Sequence, residues 1–129
     1  MNTAAVATPV VALPAIGAAF HGGIFAGITL HEDKLHALIL LPEESGRLEW
    51  PDAIEFAAKQ DGELPSRIDA LILFKNLRKE FRSSDWYWTG EENPVDAGYA
   101  FIQGFGNGYQ LDDRKDGDYR ARAVRRVSI

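Results

Sequence analysis

Two apolar runs, Ile24 to Leu30 and Leu35 to Leu41, flank the polar group His31-Glu32-Asp33-Lys34. Short apolar runs around a charged turn predict a β-hairpin. Gly22-Gly23 opens the first strand, and Pro42 is expected to end the second because proline donates nothing to a ladder. The period then changes. Trp50, Ala53, Ile54, Ala57 and Ala58 recur at i, i+3, i+4, i+7 and i+8, a helical stripe with Pro51 in its first turn and Gly62 as the break after it. Ser66 followed by Asp69 reads as a capping box that opens a second helix. Its apolar positions, Ile68, Ala70, Leu71, Ile72, Leu73, Phe74, Leu77 and Phe81, cover more than one face, which predicts a helix at the centre of the core. Lys75, Arg78, Lys79 and Arg82 crowd its later turns, where cations suit the helix dipole and read as a solvated face.

Beyond Ser83 the pattern turns extended. Trp86-Tyr87-Trp88 predicts a short aromatic strand. Gly98 to Phe105 alternates, placing Tyr99, Phe101, Gln103 and Phe105 on one side. Gly106-Asn107-Gly108 is a turn, Tyr109-Gln110-Leu111 pairs back, Asp112 to Asp118 is a polar loop, and Tyr119 to Val127 forms a last strand. A hairpin, two helices and then several strands make an α+β order rather than an alternating one.

The chain has 129 residues, 46% hydrophobic and 26% charged, which fits one folded domain. Residues 1–15 carry no Lys or Arg and contain Pro9 and Pro14, so they read as an extended arm and not as a signal peptide, with the domain at 16–129. The arm is either a free tail or packs on a neighbouring subunit, which leaves a homo-oligomer open. No apolar run reaches the roughly 20 residues of a membrane span. A net charge of −5 argues against direct nucleic-acid binding, which needs local positive charge.

The absence of cysteine excludes disulfides, zinc thiolates and cysteine nucleophiles. His21, His31 and His36 lack the i, i+4 spacing of a helical metal pair, and no serine sits in a nucleophile elbow, so no catalytic residue, metal or cofactor is assigned. Gly104 to Gly108 lacks the spacing of a phosphate loop. Asp112, Asp113, Asp116 and Asp118 stand close together, but Arg114 and Lys115 lie among them, and a solvated turn explains them better than calcium. Glu91-Glu92-Asn93-Pro94 makes a turn that can also hydrogen-bond a ligand. The remaining signal is aromatic side chains interleaved with amides and acids, the combination that suits a sugar ring or a protein hot spot. The candidate ligand-binding residues are Trp86, Trp88, Glu91, Glu92, Asn93, Tyr99, Gln103, Asn107, Tyr109, Asp112 and Asp113. Among the aromatics, Trp88 and Phe101 are expected inward and Tyr99 or Tyr109 outward. Arg120, Arg122, Arg125 and Arg126 are expected to pair with acids of the same chain.

Four segments occur in a telling order: Leu48-Glu49-Trp50-Pro51-Asp52-Ala53, Gly62-Glu63-Leu64-Pro65-Ser66-Arg67, Trp86-Tyr87-Trp88-Thr89-Gly90-Glu91-Glu92, and Arg120-Ala121-Arg122-Ala123-Val124-Arg125-Arg126. As a set they resemble a bacterial and phage domain-of-unknown-function family related to the C-terminal domain of the Legionella collagen-like protein. The opening Gly22 to Gly27 and Leu38 to Pro42 look like its phage and prophage branch. The resemblance spans about residues 13 to 127 and implies a C-type-lectin-like single domain. Thr89-Gly90 stands where that family more often has two hydroxyl residues, and the Glu-Pro-Asn and Trp-Asn-Asp calcium motifs of vertebrate lectins are absent.

The resemblance implies a non-enzymatic recognition module that binds a host protein or surface glycan, in the virion, through Trp86 to Glu92 and Tyr99 to Asp113. A second reading is a phage accessory protein in the bacterial cytoplasm that inhibits a host factor such as a defence protein. A third is a glycan-processing enzyme, which would need two converging carboxylates.

Overall fold

The computed structural model describes residues 12–129. Most of the expected arm, residues 1–11, lies outside the described residues, but Leu13 already packs against the core, so the domain begins before residue 16.

Eight of its helices and strands follow from the chain pattern, and the short first strand does not. The two-residue strand β1 (Ala19–Phe20) pairs with β2 (Gly23–His31), which forms the hairpin with β3 (Lys34–Glu44). Helices α1 (Trp50–Ala58) and α2 (Arg67–Leu77) follow, the second running into a 3₁₀ turn at Arg78–Glu80. Then come β4 (Trp86–Asn93), β5 (Asp96–Gly104), β6 (Gln110–Arg114) and β7 (Arg122–Ser128). All strand pairs in the two sheets are antiparallel. The domain is therefore α+β, with two helices and two sheets: β1-β2-β3-β7 and β4-β5-β6.

Local chemistry explains the element ends. The Ser66 hydroxyl accepts from the Asp69 amide at 3.0 Å while the Asp69 carboxylate accepts from the Ser66 amide at 2.9 Å, so the expected capping box is formed. Pro51 sits in the first turn of α1, where no intrahelical donor is lost. The β2–β3 loop is just Glu32-Asp33, and both take left-handed φ values, 51° and 63°, as a tight type I′ hairpin requires.

Three expectations need correction. Pro42 does not end β3, which runs on to Glu44. The ladder to β7 shifts register between Leu40 and Glu44, and such a bulge accommodates a residue without a donor. The segment after Leu111 is not all loop, because β6 continues to Arg114. Finally, α2 is not buried all round. Its inner face carries Asp69, Ala70, Leu73 and Leu77, whereas Ile68 and Leu71 are about half exposed. A charged residue sits inside and two aliphatic residues sit outside, which inverts the usual helical pattern.

The first sheet separates two apolar clusters. On one face Phe25, Ala37, Ile39, Leu41 and Ala123 meet Ala53 and Ala57 of α1 and Trp88 and Ile102 of the second sheet. On the other, Ala26, Leu38, Leu40 and Val124 meet Leu73 and Leu77 of α2, together with Phe81, Tyr87 and Phe105. Phe81 and Phe105 stack there with ring centroids 3.8 Å apart. Each fully buried large side chain contributes roughly 1.5–3 kcal/mol by its removal from water.

The four ordered sequence segments turn out to be the joints between these elements. The Trp50 indole donates to the Thr89 carbonyl at 2.9 Å, and the Trp88 indole donates to the Leu48 carbonyl at 2.8 Å. The Gly90 amide donates to the Pro65 carbonyl, and the Trp88 amide donates to the Arg120 carbonyl.

Candidate functional site

Cross-strand partners in an antiparallel sheet share a face. In the second sheet Tyr99, Phe101 and Gln103 of β5 lie opposite Arg114, Asp112 and Gln110 of β6, which defines a front face. Ala100 and Ile102 lie opposite Asp113 and Leu111, and Trp88 and Glu92 of β4 lie opposite Ile102 and Ala100, which defines a back face. The candidate residues thus do not form one surface. Tyr99, Gln103 and Asp112 belong to the front, whereas Trp86, Trp88, Glu92 and Asp113 belong to the back.

The back-face members are engaged within the protein. Trp88 is fully buried, so it is excluded from ligand contact, and its ring meets Tyr119 edge-on. Trp86 is half-buried and packs on the same core. Glu92 pairs with the Lys115 ammonium, which sits 4.5 Å from the Trp50 ring centroid. The Asp113 carboxylate accepts from the Tyr119 hydroxyl. Burial and this bond push the Tyr119 phenol up to about 12, since both disfavour its anion.

The front face is organised by a residue that the linear pattern did not single out. Arg67, the first residue of α2, lays its guanidinium 3.9 Å over the Phe101 ring. Its Nε donates to Gln110 Oε1 at 2.9 Å, and Gln110 Nε2 donates back to the Arg67 carbonyl at 2.8 Å. Gln110 Nε2 also donates to Gln103 Oε1, but Gln103 is itself buried and cannot reach a ligand. Around this stack, Glu91 accepts from the Arg67 amide at 2.6 Å, and Asn93 donates to Asp112 at 2.7 Å. Asn93 also accepts from the Val95 amide, which shapes the β4–β5 tip. Tyr99, half-buried, completes the face opposite Arg114. Arg67, Gln110, Glu91, Asn93 and Asp112 are each oriented by a partner and, unlike the buried Gln103, border solvent. That arrangement offers a planar stacking platform with hydrogen-bonding atoms beside it.

Tyr109 and Asn107 lie in the turn at one end. Tyr109 is 64% exposed, and its amide donates to Asn107 Oδ1. Gly108 has φ +79°, and a Cβ there would lie 2.7 Å from the Phe74 ring, so only glycine lets this turn close on α2.

All four closing arginines are held within the chain, but only Arg120 and Arg126 pair with acids as expected; Arg122 and Arg125 bind backbone carbonyls instead. Arg120 Nε pairs with Asp85 at 2.5 Å, and that hydrogen bond holds the Asp85 carboxyl below the usual carboxylate range despite burial. Arg122 donates to the Leu41 and Glu80 carbonyls, and Arg125 to the His21, Gln60 and Asp61 carbonyls. Arg126 reaches Asp69 at 2.7 Å and Glu63 at 2.5 Å.

No known family model matches this chain, and no curated protein matches it significantly. Among the described residues, no helix is long and apolar enough to cross a membrane.

Proposed function

We propose that the protein is a non-enzymatic recognition module of phage or prophage origin that binds a host protein or surface glycan through the front face of the β4–β6 sheet. One observation carries this reading: the Arg67 guanidinium stacked on Phe101 and fixed by Gln110, bordered by Glu91, Asn93, Tyr99 and Asp112. Preorganised aromatic and guanidinium surfaces with partnered polar neighbours suit sugar rings and protein hot spots alike. A C-type-lectin-like fold is supported by the four ordered motifs and by the order of elements, with two helices leading into a separate antiparallel sheet.

The non-enzymatic reading is supported by the acids whose proton affinity is displaced. Burial alone would raise Glu44, but hydrogen bonds from Tyr87 and Arg82 outweigh it and hold the carboxyl down, and Asp85 is held down by Arg120. Both look like structural ion pairs rather than a raised general acid. The test is binding of the purified protein to host envelope fractions and to virion-depleted lysate. Retention on the envelope, lost in a Tyr99→Ala/Asp112→Ala variant, is expected. Capture by a single cytosolic protein instead would move the reading to an intracellular inhibitor.

A further inference from the structure

A concavity of about 470 Å³ opens between α1 and the Gly62–Ser66 connection. That volume lies within the range of small-ligand and side-chain pockets. One wall is apolar: Ile54, 41% exposed, and Ala58, both on the outward side of the α1 stripe, with Leu64. Two glycines form the floor. A Cβ on Gly62 would lie 2.7 Å from the Val124 carbonyl oxygen, too close for a side chain, and one on Gly90 would lie 3.3 Å from that of Leu64, a tight contact.

The polar lining is unbalanced in charge. Arg126 contributes a cation, but its guanidinium is 8% exposed and is already bonded to Asp69 through Nε and Nη2 and to Glu63 through Nη1. The amides at the start of α2 are likewise engaged, that of Ser66 with Asp69 and that of Arg67 with Glu91. The cavity is also lined by the His31 imidazole and by the carboxylates of Glu63 and Glu91, with the buried Asp69 charge balanced by Arg126. The mouth is net negative beside an aliphatic wall.

We infer that this cavity takes an arginine or lysine side chain presented by a basic partner protein, its stem along Ile54, Ala58 and Leu64 and its cation between Glu63 and Glu91. Long basic side chains bury their methylenes while keeping the charge at a polar rim, and the overall charge of −5 favours encounter with a basic surface. Apart from Glu91, these side chains lie outside the Arg67–Phe101 face, so either site can fail alone.

The test uses the full chain, labelled with ¹⁵N, titrated with acetyl-Gly-Arg-Gly-amide and with its neutral citrulline counterpart. Saturable shifts at the Gly62, Leu64 and Gly90 amides are expected with the arginine peptide. Citrulline should bind at least about tenfold more weakly, because it removes the charge and keeps the shape. Glu63→Gln/Glu91→Gln should weaken the arginine response to a similar degree. Glu91→Gln alone, which leaves the Arg126 contacts intact, should give an intermediate loss. Equal response to both peptides, absence of saturable shifts at those amides, or shifts unaffected by the variants would overturn the assignment.

Discussion

The Asp69 carboxylate, fully buried on the inner side of α2, is gripped by the Arg126 guanidinium of β7 at 2.7 Å, while Thr29 of β2 donates its hydroxyl to the other oxygen at 2.5 Å. One carboxylate thus joins a helix, its capping box and two strands of the first sheet. Removing one member of a buried pair leaves the other charged and unpaired, which costs more than the pair itself contributes. Arg126→Met is expected to destabilise the fold by about 3 kcal/mol, read as a lower urea midpoint at unchanged slope. A loss below about 0.5 kcal/mol would mean that the network is incidental.

Acid should loosen the joint between β3, β4 and the Arg120 segment. Glu44 and Asp85 titrate lower in the folded chain than their ordinary values of 4.5 and 3.8, so the folded state binds fewer protons in that range. Their stabilisation is complete above those ordinary values and is lost as the pH falls through the lowered folded ones. Thermal melts from neutral pH downward should show a falling Tm that flattens in Glu44→Gln/Asp85→Asn. An unchanged pH profile in that variant would contradict the assignment.

Alkali should act through Tyr119. Its folded value of about 12 lies above the ordinary 10.0, so its contribution is full below pH 10 and is lost as the pH rises through the folded value. Ultraviolet titration of the phenolates should show a step near 12 that Tyr119→Phe removes.

The β2–β3 turn is locally unfavourable. Glu32 and Asp33 both hold left-handed φ, a conformation that Asn-Gly adopts at much lower cost. Replacing the pair with Asn-Gly is expected to stabilise the protein by about 1 kcal/mol, a rise of a few degrees in Tm. Destabilisation would show that one of the two side chains has a tertiary role.

The sequence discloses what depends on local chemistry. Ser66 and Asp69 announce the helix start, the alternation of β5 announces its faces, and the closing arginines have enough acids to pair with. It conceals what depends on partners distant along the chain. Asp69 reads as a cap residue, and only the return of β7 beside β3 brings Arg126 to it, 57 positions later. Gln103 looks like a ligand contact because amide side chains suit both sugars and interiors; register puts it on the front face beside Tyr99, and the packing around it, with Gln110 bonded to its side chain, buries it. Arg67 was missed for a related reason: a lone arginine after a capping serine resembles a solvated helix end until Phe101 and Gln110 arrive beneath it. Ile54 carried a weak signal, an aliphatic residue on a short stripe that needs only alanines for packing.

The most direct measurement of the central claim is quantitative binding of the purified domain to host envelope fractions, comparing parent, a front-face variant and a back-face variant of the same sheet. The front variant is Tyr99→Ala/Asp112→Ala and the back variant is Leu111→Ala, chosen because Leu111 is exposed on the opposite face. Recognition through the Arg67–Phe101 platform predicts at least about a tenfold loss of affinity in the front variant and none in the back variant. Equal binding by all three, or loss only on changing Leu111, would contradict it.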